Sequence, residues 1–154
     1  MKRSLLSIFL FLWLLPLPSR AAEHRSSFGA GLILGEPTGV SMKLWLSGSN
    51  AVQGAVAWSF SDNTNLHVHA DYVWHRWDLF EVEKGKLPLY FGVGGRIRFR
   101  ENVDDTLGVR FPVGVAYEFS DAPFDLFFEL VPILDLAPNS EFDFNAAIGG
   151  RYYF

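Results

Sequence analysis

The amino-acid sequence predicts an all-β fold, an eight-stranded antiparallel up-and-down β-barrel, from three observations. Apolar and polar residues alternate with a period of two through most of the chain after residue 26, the pattern of strands with two unlike faces. Clusters of Gly, Pro, Asn, Asp and Ser divide this stretch into segments of strand length. No segment after residue 26 shows sustained helical periodicity, and 154 residues suit a single domain.

The composition narrows the classes of function. The chain is 49% hydrophobic, 16% aromatic and only 19% charged, which excludes a disordered, acidic protein. It contains no Cys, which excludes a disulfide scaffold, a thiolate metal site and a Cys nucleophile. A formal net charge of −4 argues against nucleic-acid binding, which normally requires a basic face. No motif predicts a cofactor.

The N-terminus has the pattern of a cleaved secretory signal peptide. Residues 2–3 are basic, residues 5–15 are apolar, and residues 19–21 place small side chains at the −3 and −1 positions of a cleavage site. The apolar stretch is shorter than the roughly 20 residues that a transmembrane helix needs. The sequence therefore predicts a signal peptide at 1–21 and a barrel domain at 22–154.

The first three predicted strands, 26–35, 38–47 and 51–60, are the shortest and are rich in glycine. Glu36-Pro37-Thr38 and Gly48-Ser49-Asn50 supply the turns between them. Pro presets the backbone of a turn, and Gly and Asn adopt turn conformations at low cost. The boundaries of these strands depend on the turn residues.

Five longer strands follow. In one of them Leu, Val, Phe and Tyr occupy the odd positions, whereas Gly, Arg, Pro, Ala and Glu occupy the even positions. Turn residues at 61–63, 102–105, 120–123 and 138–140 mark the ends of segments. The five predicted strands are 65–77, 87–99, 107–119, 124–136 and 142–154.

The difference between the two faces predicts a transmembrane barrel with a packed polar interior. Each segment reaches the roughly 9–11 residues that a tilted strand needs to cross a bilayer. The polar face carries small residues such as Gly92, Gly94 and Gly108, which a narrow eight-stranded interior requires. A soluble periplasmic lipid-binding barrel is the alternative, and it would bury Phe128, Leu130 and Val113 instead.

Aromatic residues on the apolar face gather at the strand ends, as the two interfaces of a bilayer favour. One predicted girdle comprises Phe28, Trp74, Tyr117, Phe119, Phe124, Tyr152 and Phe154, and the other comprises Trp58, Phe60, Phe99, Phe142 and Phe144.

The last strand resembles the C-terminal β-signal by which the barrel-assembly machinery recognises outer-membrane proteins. Gly149, Tyr152 and Phe154 carry this resemblance, whereas Ala147 occupies the position of its polar residue, so the match is partial. The whole domain is similar to the small OmpA-type barrels, and residues 29–39 resemble the opening of an uncharacterised outer-membrane β-barrel family. These resemblances imply a monomer in a Gram-negative outer membrane, in contact with lipids and lipopolysaccharide.

Charged residues of both signs are predicted to face the interior. Mutual pairing is expected, because an unpaired charge in a poorly hydrated interior costs several kcal/mol. A closed interior network is the first interpretation, and a narrow conduit is the second. The predicted inward residues are Lys43, His67, His69, Asp71, His75, Arg96, Arg98, Arg110, Glu118, Asp125, Glu129, Asp135, Asp143 and Arg151.

Two chemical alternatives concern the fourth strand. His67, His69 and Asp71 alternate on one face, which is a weak pattern for a divalent metal site. Ser59, His67 and Asp71 could also form a Ser–His–Asp relay, as in an enzyme that modifies lipid A. All of these side chains would face the lumen, away from a lipid substrate, so no catalytic residue is predicted.

The function expected from the sequence is structural, in the integrity of the cell envelope, with a narrow pore for small solutes or ions as the alternative. Both termini of the barrel lie on the periplasmic side in this topology. The outer loops are then 36–37, 61–64, 100–106 and 137–141, which are too short for an extended binding surface, and the longest connection is the inner turn 78–86.

Overall fold

The computed structural model describes residues 27–36, 38–59 and 65–154. All regular structure in this part of the chain is β-strand, and no helix there is long and apolar enough to cross a membrane. The predicted signal peptide lies outside the described residues. The strands are β1 (Phe28–Gly35), β2 (Gly39–Trp45), β3 (Asn50–Ser59), β4 (Asn65–Arg76), β5 (Leu89–Arg100), β6 (Thr106–Arg110), β7 (Val113–Glu118), β8 (Phe124–Ala137) and β9 (Glu141–Tyr153).

The strands form one closed antiparallel ring. β1 to β5 pair in sequence, β8 pairs with β9, and β9 returns to pair with β1. β6 and β7 together fill the single position between β5 and β8. The ring therefore has eight strand positions, which confirms the eight-stranded antiparallel barrel. We call the end at which β1 ends and β9 begins the mouth, and the opposite end the base.

The predicted strand 107–119 is divided at Phe111 and Pro112 into β6 and β7. Pro has no N–H to give to the ladder, so regular pairing stops beside it. The path of the chain is nevertheless unbroken, because Arg110 pairs with Gly94 and Val113 pairs with Phe91 in one register. The other described strands begin and end within two residues of their predicted limits.

A β-bulge lies at the mouth between β6 and β8. Leu107 pairs with Ala137, whereas the next residue, Gly108, pairs with Asp135, which leaves Leu136 as the extra residue. A bulge of this kind bends its strand and re-aims the neighbouring side chains. Asp135 points into the barrel beside it and is buried.

The register is staggered around the ring, as closure of a barrel requires. Gly29 on β1 pairs directly with Tyr153 on β9. When the paired residues are followed from Gly29 through β2 and the other strands, the path reaches β9 at Asp143, ten residues before Tyr153. The residues on this path are Gly29, Lys43, Gln53, Asp71, Gly94, Arg110, Ile133 and Asp143. The large side chains on this path, such as Lys43, Arg110 and Ile133, are buried and fill the narrow interior.

The outer surface is apolar, and the interior is buried and polar. On β8, Asp125 and Glu129 are buried, whereas Phe128 and Leu130 are exposed. Val113 on β7 is also exposed. The inverted arrangement of a lipid-binding barrel, which would enclose these apolar residues, is therefore wrong.

The charged interior as the candidate functional site

The centre of the barrel is closed by an ion pair between β4 and β6, across the intervening strand β5. Arg110 donates from Nε to Asp71 Oδ1 over 3.0 Å and from Nη2 to Asp71 Oδ2 over 3.2 Å. Arg110 Nη2 also lies 3.6 Å from Glu129 Oε1 on β8. All three side chains are at most 2% exposed, so one buried guanidinium holds two buried carboxylates.

Two neutral donors complete this central network. The Tyr90 hydroxyl donates to Glu129 Oε2 over 2.8 Å, and Gln53 Nε2 donates to the same oxygen over 3.1 Å. The central network, defined as Gln53, Asp71, Tyr90, Arg110 and Glu129, thus draws side chains from β3, β4, β5, β6 and β8. It spans the cross-section of the barrel and leaves both carboxylates hydrogen-bonded.

Glycines allow these contacts to pass over an intervening strand. Gly94 on β5 lies in register between Asp71 and Arg110, and a Cβ there would collide with Asp71 Oδ1. The absence of a side chain at Gly94 therefore lets the two charged groups meet across β5. The ion pair depends on glycine at this position.

The same arrangement occurs twice more. Gly108 lies in register between Arg96 and Asp135, and a Cβ there would collide with the Asp135 carboxylate. Gly114 lies between Tyr90 and Glu129, and a Cβ there would lie 2.5 Å from Tyr90 Cζ. In these three cases a glycine lies beneath the contact that crosses an intervening strand.

A lysine occupies the interior towards the base. Lys43 Nζ lies 2.7 Å from His75 Nε2, and His75 Nδ1 lies 3.1 Å from the Ser49 carbonyl oxygen. These distances fit an imidazole that donates from Nδ1 to the carbonyl and accepts from the lysine at Nε2. The ammonium also lies 4.3 Å from the Trp45 ring centroid and 5.4 Å from that of Tyr90, within cation–π range.

A second buried ion pair joins β8 and β9 in the same half of the barrel. Arg151 Nε donates to Asp125 Oδ1 over 3.3 Å, and the Tyr153 hydroxyl donates to Asp125 Oδ2 over 2.6 Å. The Arg151 guanidinium lies 4.1 Å from the Phe127 ring centroid and donates to Gln53 Oε1 over 3.4 Å. Gln53 thereby links this pair to the central network. Glu118, the remaining predicted inward acid, is also buried near the base.

At the mouth two arginines of β5 share two carboxylates. Arg96 makes two hydrogen bonds to Asp135, of 3.1 and 2.7 Å, and one of 2.9 Å to Asp143 Oδ2. Arg98 Nη2 lies 3.4 Å from Asp135 Oδ2 and 3.3 Å from Asp143 Oδ2. Beside this group a cavity of about 450 Å³ opens towards the mouth.

The geometry bears on the metal and relay hypotheses. The rings of His67 and His69 lie 5.4 Å apart, but Asp71 is bonded to Arg110 and lies 3.9 Å from His69. Among the described residues no three or more His, Asp or Glu side chains are grouped to hold a metal ion. Ser59 pairs with Asn65 in the β3–β4 register, whereas His67 pairs with Ala57, so Ser59 and His67 are not direct partners.

The sequence missed several interior residues that take part in these contacts. Tyr90 and Gln53 are absent from the predicted inward set because that set contains only acidic and basic side chains. Arg100 was missed because the predicted strand ended at 99, whereas β5 continues one residue further. The parity of β5, on which Arg96 and Arg98 are also even-numbered, identifies both Tyr90 and Arg100 as inward residues.

The aromatic residues of the predicted girdles lie near the two ends. At the base the rings of Phe28 and Phe154 are 6.4 Å apart, and those of Tyr117 and Phe119 are 4.8 Å apart. Phe142 at the mouth is strongly exposed. Trp58, Trp74, Phe99, Phe144 and Tyr152 are exposed and Phe124 is half-buried, whereas Phe60 lies outside the described residues.

The residues of the predicted assembly signal lie on or next to β9. Tyr152 and Phe154 are exposed on the outer face. Gly149 faces inward, and a Cβ there would collide with the Phe127 ring. Gly149 therefore has a packing reason for being glycine that is separate from recognition by any partner.

A closed ring of eight antiparallel strands, with apolar residues outside and paired charges inside, defines the class of this molecule as the small OmpA-type β-barrel fold. The chain is similar to the crystal structure of the N-terminal β-barrel domain of Pseudomonas aeruginosa OprF, with a TM-score of 0.58 and 13% sequence identity. The match covers 85% of this chain and 100% of that domain, and it concerns the fold alone. No protein family and no curated protein matches the sequence.

Proposed function

We propose that this protein is an outer-membrane β-barrel with a structural role in envelope integrity, whose interior is closed by the charged network. The observation that carries the proposal is the outer surface. Large apolar side chains are exposed on strands all around the closed ring, including Leu32, Val52, Phe91, Phe128 and Ile148. A surface of this kind is far larger than the apolar patches of soluble monomers and suits a lipid environment.

The location and partners follow from this proposal. The predicted signal peptide at 1–21 exports the chain, and the barrel-assembly machinery recognises the strand that carries Gly149, Tyr152 and Phe154. The inserted monomer contacts outer-membrane lipids and lipopolysaccharide through its apolar belt. The aromatic rings near both ends of the barrel support this orientation, since aromatic side chains favour the two bilayer interfaces.

The closed interior supports a structural role over conduction. Arg110 is bonded to Asp71 and Glu129, and the Tyr90 hydroxyl and Gln53 amide occupy the remaining space around Glu129. Opening a path would separate buried charges from their partners, which costs several kcal/mol.

Fractionation of expressing cells tests the location. A folded barrel in the outer-membrane fraction should migrate differently on a gel before and after boiling. Leu130→Arg places a charge on the apolar belt, which near the bilayer midplane costs about 2–4 kcal/mol and should impair insertion. Val103→Arg, on the exposed connection after β5, is the matched control and should insert normally. Recovery of the wild type as a soluble periplasmic protein would reject the proposal.

A narrow pore is the second candidate, favoured by the cavity of about 450 Å³ that opens at the mouth. Planar-bilayer recordings separate the two functions. The wild type should show no ion current under the structural proposal, because the central network blocks the lumen. A steady single-channel current in the wild type would establish the pore instead.

A lipid A-modifying activity is not part of the proposal. Asp71, the acid of the Ser59–His67–Asp71 relay considered from the sequence, accepts hydrogen bonds from Arg110 at both carboxylate oxygens. Mass spectrometry of lipid A from cells that express the wild type, Ser59→Ala or His67→Ala should give one acyl pattern. A change with the wild type that both variants abolish would establish an enzyme.

A further inference from the structure

The cavity at the mouth has the dimensions and lining of a small-molecule site. Its volume of about 450 Å³ falls within the range of about 300–1,000 Å³ that is usual for ligand pockets. Its polar walls include Asn65, His67, Arg98, Asp143 and Asn145. Most of these residues belong to strands of the ring, so their backbones are held in place before any ligand arrives.

Two arginines and two acids line this cavity, Arg96 and Arg98 against Asp143 and Glu36. Arg96, Arg98 and Arg100 alternate along the inner face of β5, and among the described residues Asp135 and Asp143 accept the hydrogen bonds of the first two. The guanidinium of Arg100 donates instead to neutral acceptors, the Asp104 carbonyl and the Thr106 hydroxyl. Glu36 lines the cavity only at its exposed rim.

Three polar atoms around the cavity are buried without a hydrogen-bond partner among the described residues. They are His67 Nε2, Arg98 Nε and Asn65 Oδ1. His67 as a whole is only 7% exposed and lines the cavity. Buried polar groups are normally bonded, and each one left unpaired costs about 1–3 kcal/mol. A ligand that bonds these atoms would recover that cost.

We propose that the mouth cavity binds a small oxyanion, a carboxylate or phosphate that also carries a hydroxyl group. The guanidinium of Arg98 and the imidazole of His67 supply N–H donors to the anionic oxygens, and Asn65 Oδ1 accepts from the hydroxyl. Hydrogen bonds from an ionised guanidinium to an anionic oxygen are stronger than those to a neutral oxygen, so an anion is favoured over a neutral solute of the same size. This site does not depend on where the barrel resides, since the same strands form it in detergent or in a membrane.

The test uses the barrel refolded in detergent, with citrate and inorganic phosphate as separate probes and glucose as the neutral comparison. Trp58 lines the cavity, whereas Trp45, Trp74 and Trp77 lie towards the base, so fluorescence of the Trp58 side chain reports binding. Isothermal titration calorimetry gives the affinity. Saturable binding of citrate or phosphate, with no binding of glucose, is the expected result. Citrate tests the hydroxycarboxylate form of the ligand, and phosphate tests the oxyanion alone.

Two variants locate the site. Arg98→Gln and His67→Phe should each weaken binding about tenfold, the usual effect of losing one hydrogen bond to a charged group. Arg98→Lys retains the charge and should recover part of the affinity. Arg76→Gln, an exposed arginine at the base, is the matched control and should bind as the wild type does.

The gel shift between boiled and unboiled samples establishes that each variant is folded before it is titrated. The absence of saturable binding to the folded wild type by both anions would overturn the proposal. Equal affinity in Arg98→Gln, His67→Phe and the wild type would also overturn it, because the anion would then bind elsewhere. Loss of membrane location in cells, with binding intact in detergent, would reject the proposed function and leave this site standing.

Discussion

The centre and the mouth of the barrel interior are built from the same residue types but differ in their exposure to solvent. At the centre Arg110, Asp71 and Glu129 are at most 2% exposed, and both acids are bonded. At the mouth the side chains of Arg98 and Asp143 are 30% and 38% exposed, and a cavity opens beside them. Alternation alone therefore makes an interior polar, whereas the depth of a charged group within the barrel decides how far it is shielded from solvent.

The largest expected effect is at the centre. Asp71→Ala leaves the Arg110 guanidinium buried without its two strongest bonds, which should cost about 3–5 kcal/mol of unfolding free energy. Equilibrium denaturation of the refolded barrel in lipid vesicles measures this loss. Asp143→Ala at the mouth is the comparison variant. An equal loss in the two variants would abolish the distinction between centre and mouth.

The glycine beneath the central ion pair comes next. Gly94→Ala would push a methyl group into the Asp71 carboxylate and should cost about 1–3 kcal/mol, as overpacking does. Gly48→Ala is the control, because a Cβ at Gly48 meets nothing within 4 Å. The difference between the two denaturation midpoints gives the effect. If Gly94→Ala were as stable as the control, the contact between Asp71 and Arg110 would not depend on glycine at position 94.

A smaller effect is expected at the mouth. Arg98→Gln removes one guanidinium, but Asp135 and Asp143 keep their hydrogen bonds from Arg96. Solvent also screens Arg98 and Asp143, which are partly exposed. Such partly exposed pairs contribute about 0–1 kcal/mol. The same denaturation series measures it. A loss as large as that of Asp71→Ala would mean that the mouth is as tightly closed as the centre.

The smallest effect concerns the base, outside the barrel wall. Hydrogen bonds from Arg76 hold the pKa of the fully exposed Asp78 carboxyl below its usual range. Because the folded-state pKa is depressed, the contribution of this pair is present above the ordinary pKa of Asp and is lost as the pH falls through the folded-state value. Asp78→Asn should therefore match the wild type in acid and differ from it only slightly at neutral pH. Denaturation midpoints across this pH range provide the check.

Much of the architecture could be predicted from the sequence, because side-chain parity is a local property. Alternation places Asp71 and Arg110 on the inner face without any knowledge of their neighbours. Their contact across Gly94 could not be predicted, since it depends on the registers of β4 with β5 and of β5 with β6. Those registers follow from turn geometry and from closure of the ring, which a period-two pattern does not specify.

The limits of single strands were harder to predict for a different reason. Pro112 fits the alternation of its segment, but its missing N–H interrupts the ladder there. The bulge at Leu136 likewise preserves the apolar pattern while shifting the pairing by one residue. Arg100 joins the mouth because β5 extends beyond its last aromatic residue. Hydrophobic periodicity reports which face a residue takes, not where hydrogen bonding stops.

The pairing of β1 with β9 has a consequence for the timing of folding. β1 is made before any other described strand, yet its second partner, β9, is made after all the others described. The ring cannot close during synthesis, and until closure β1 presents an open hydrogen-bonding edge of the kind that pairs with other chains. Contacts so distant in sequence also form slowly. The chain must therefore be kept from aggregating until β9 pairs with β1.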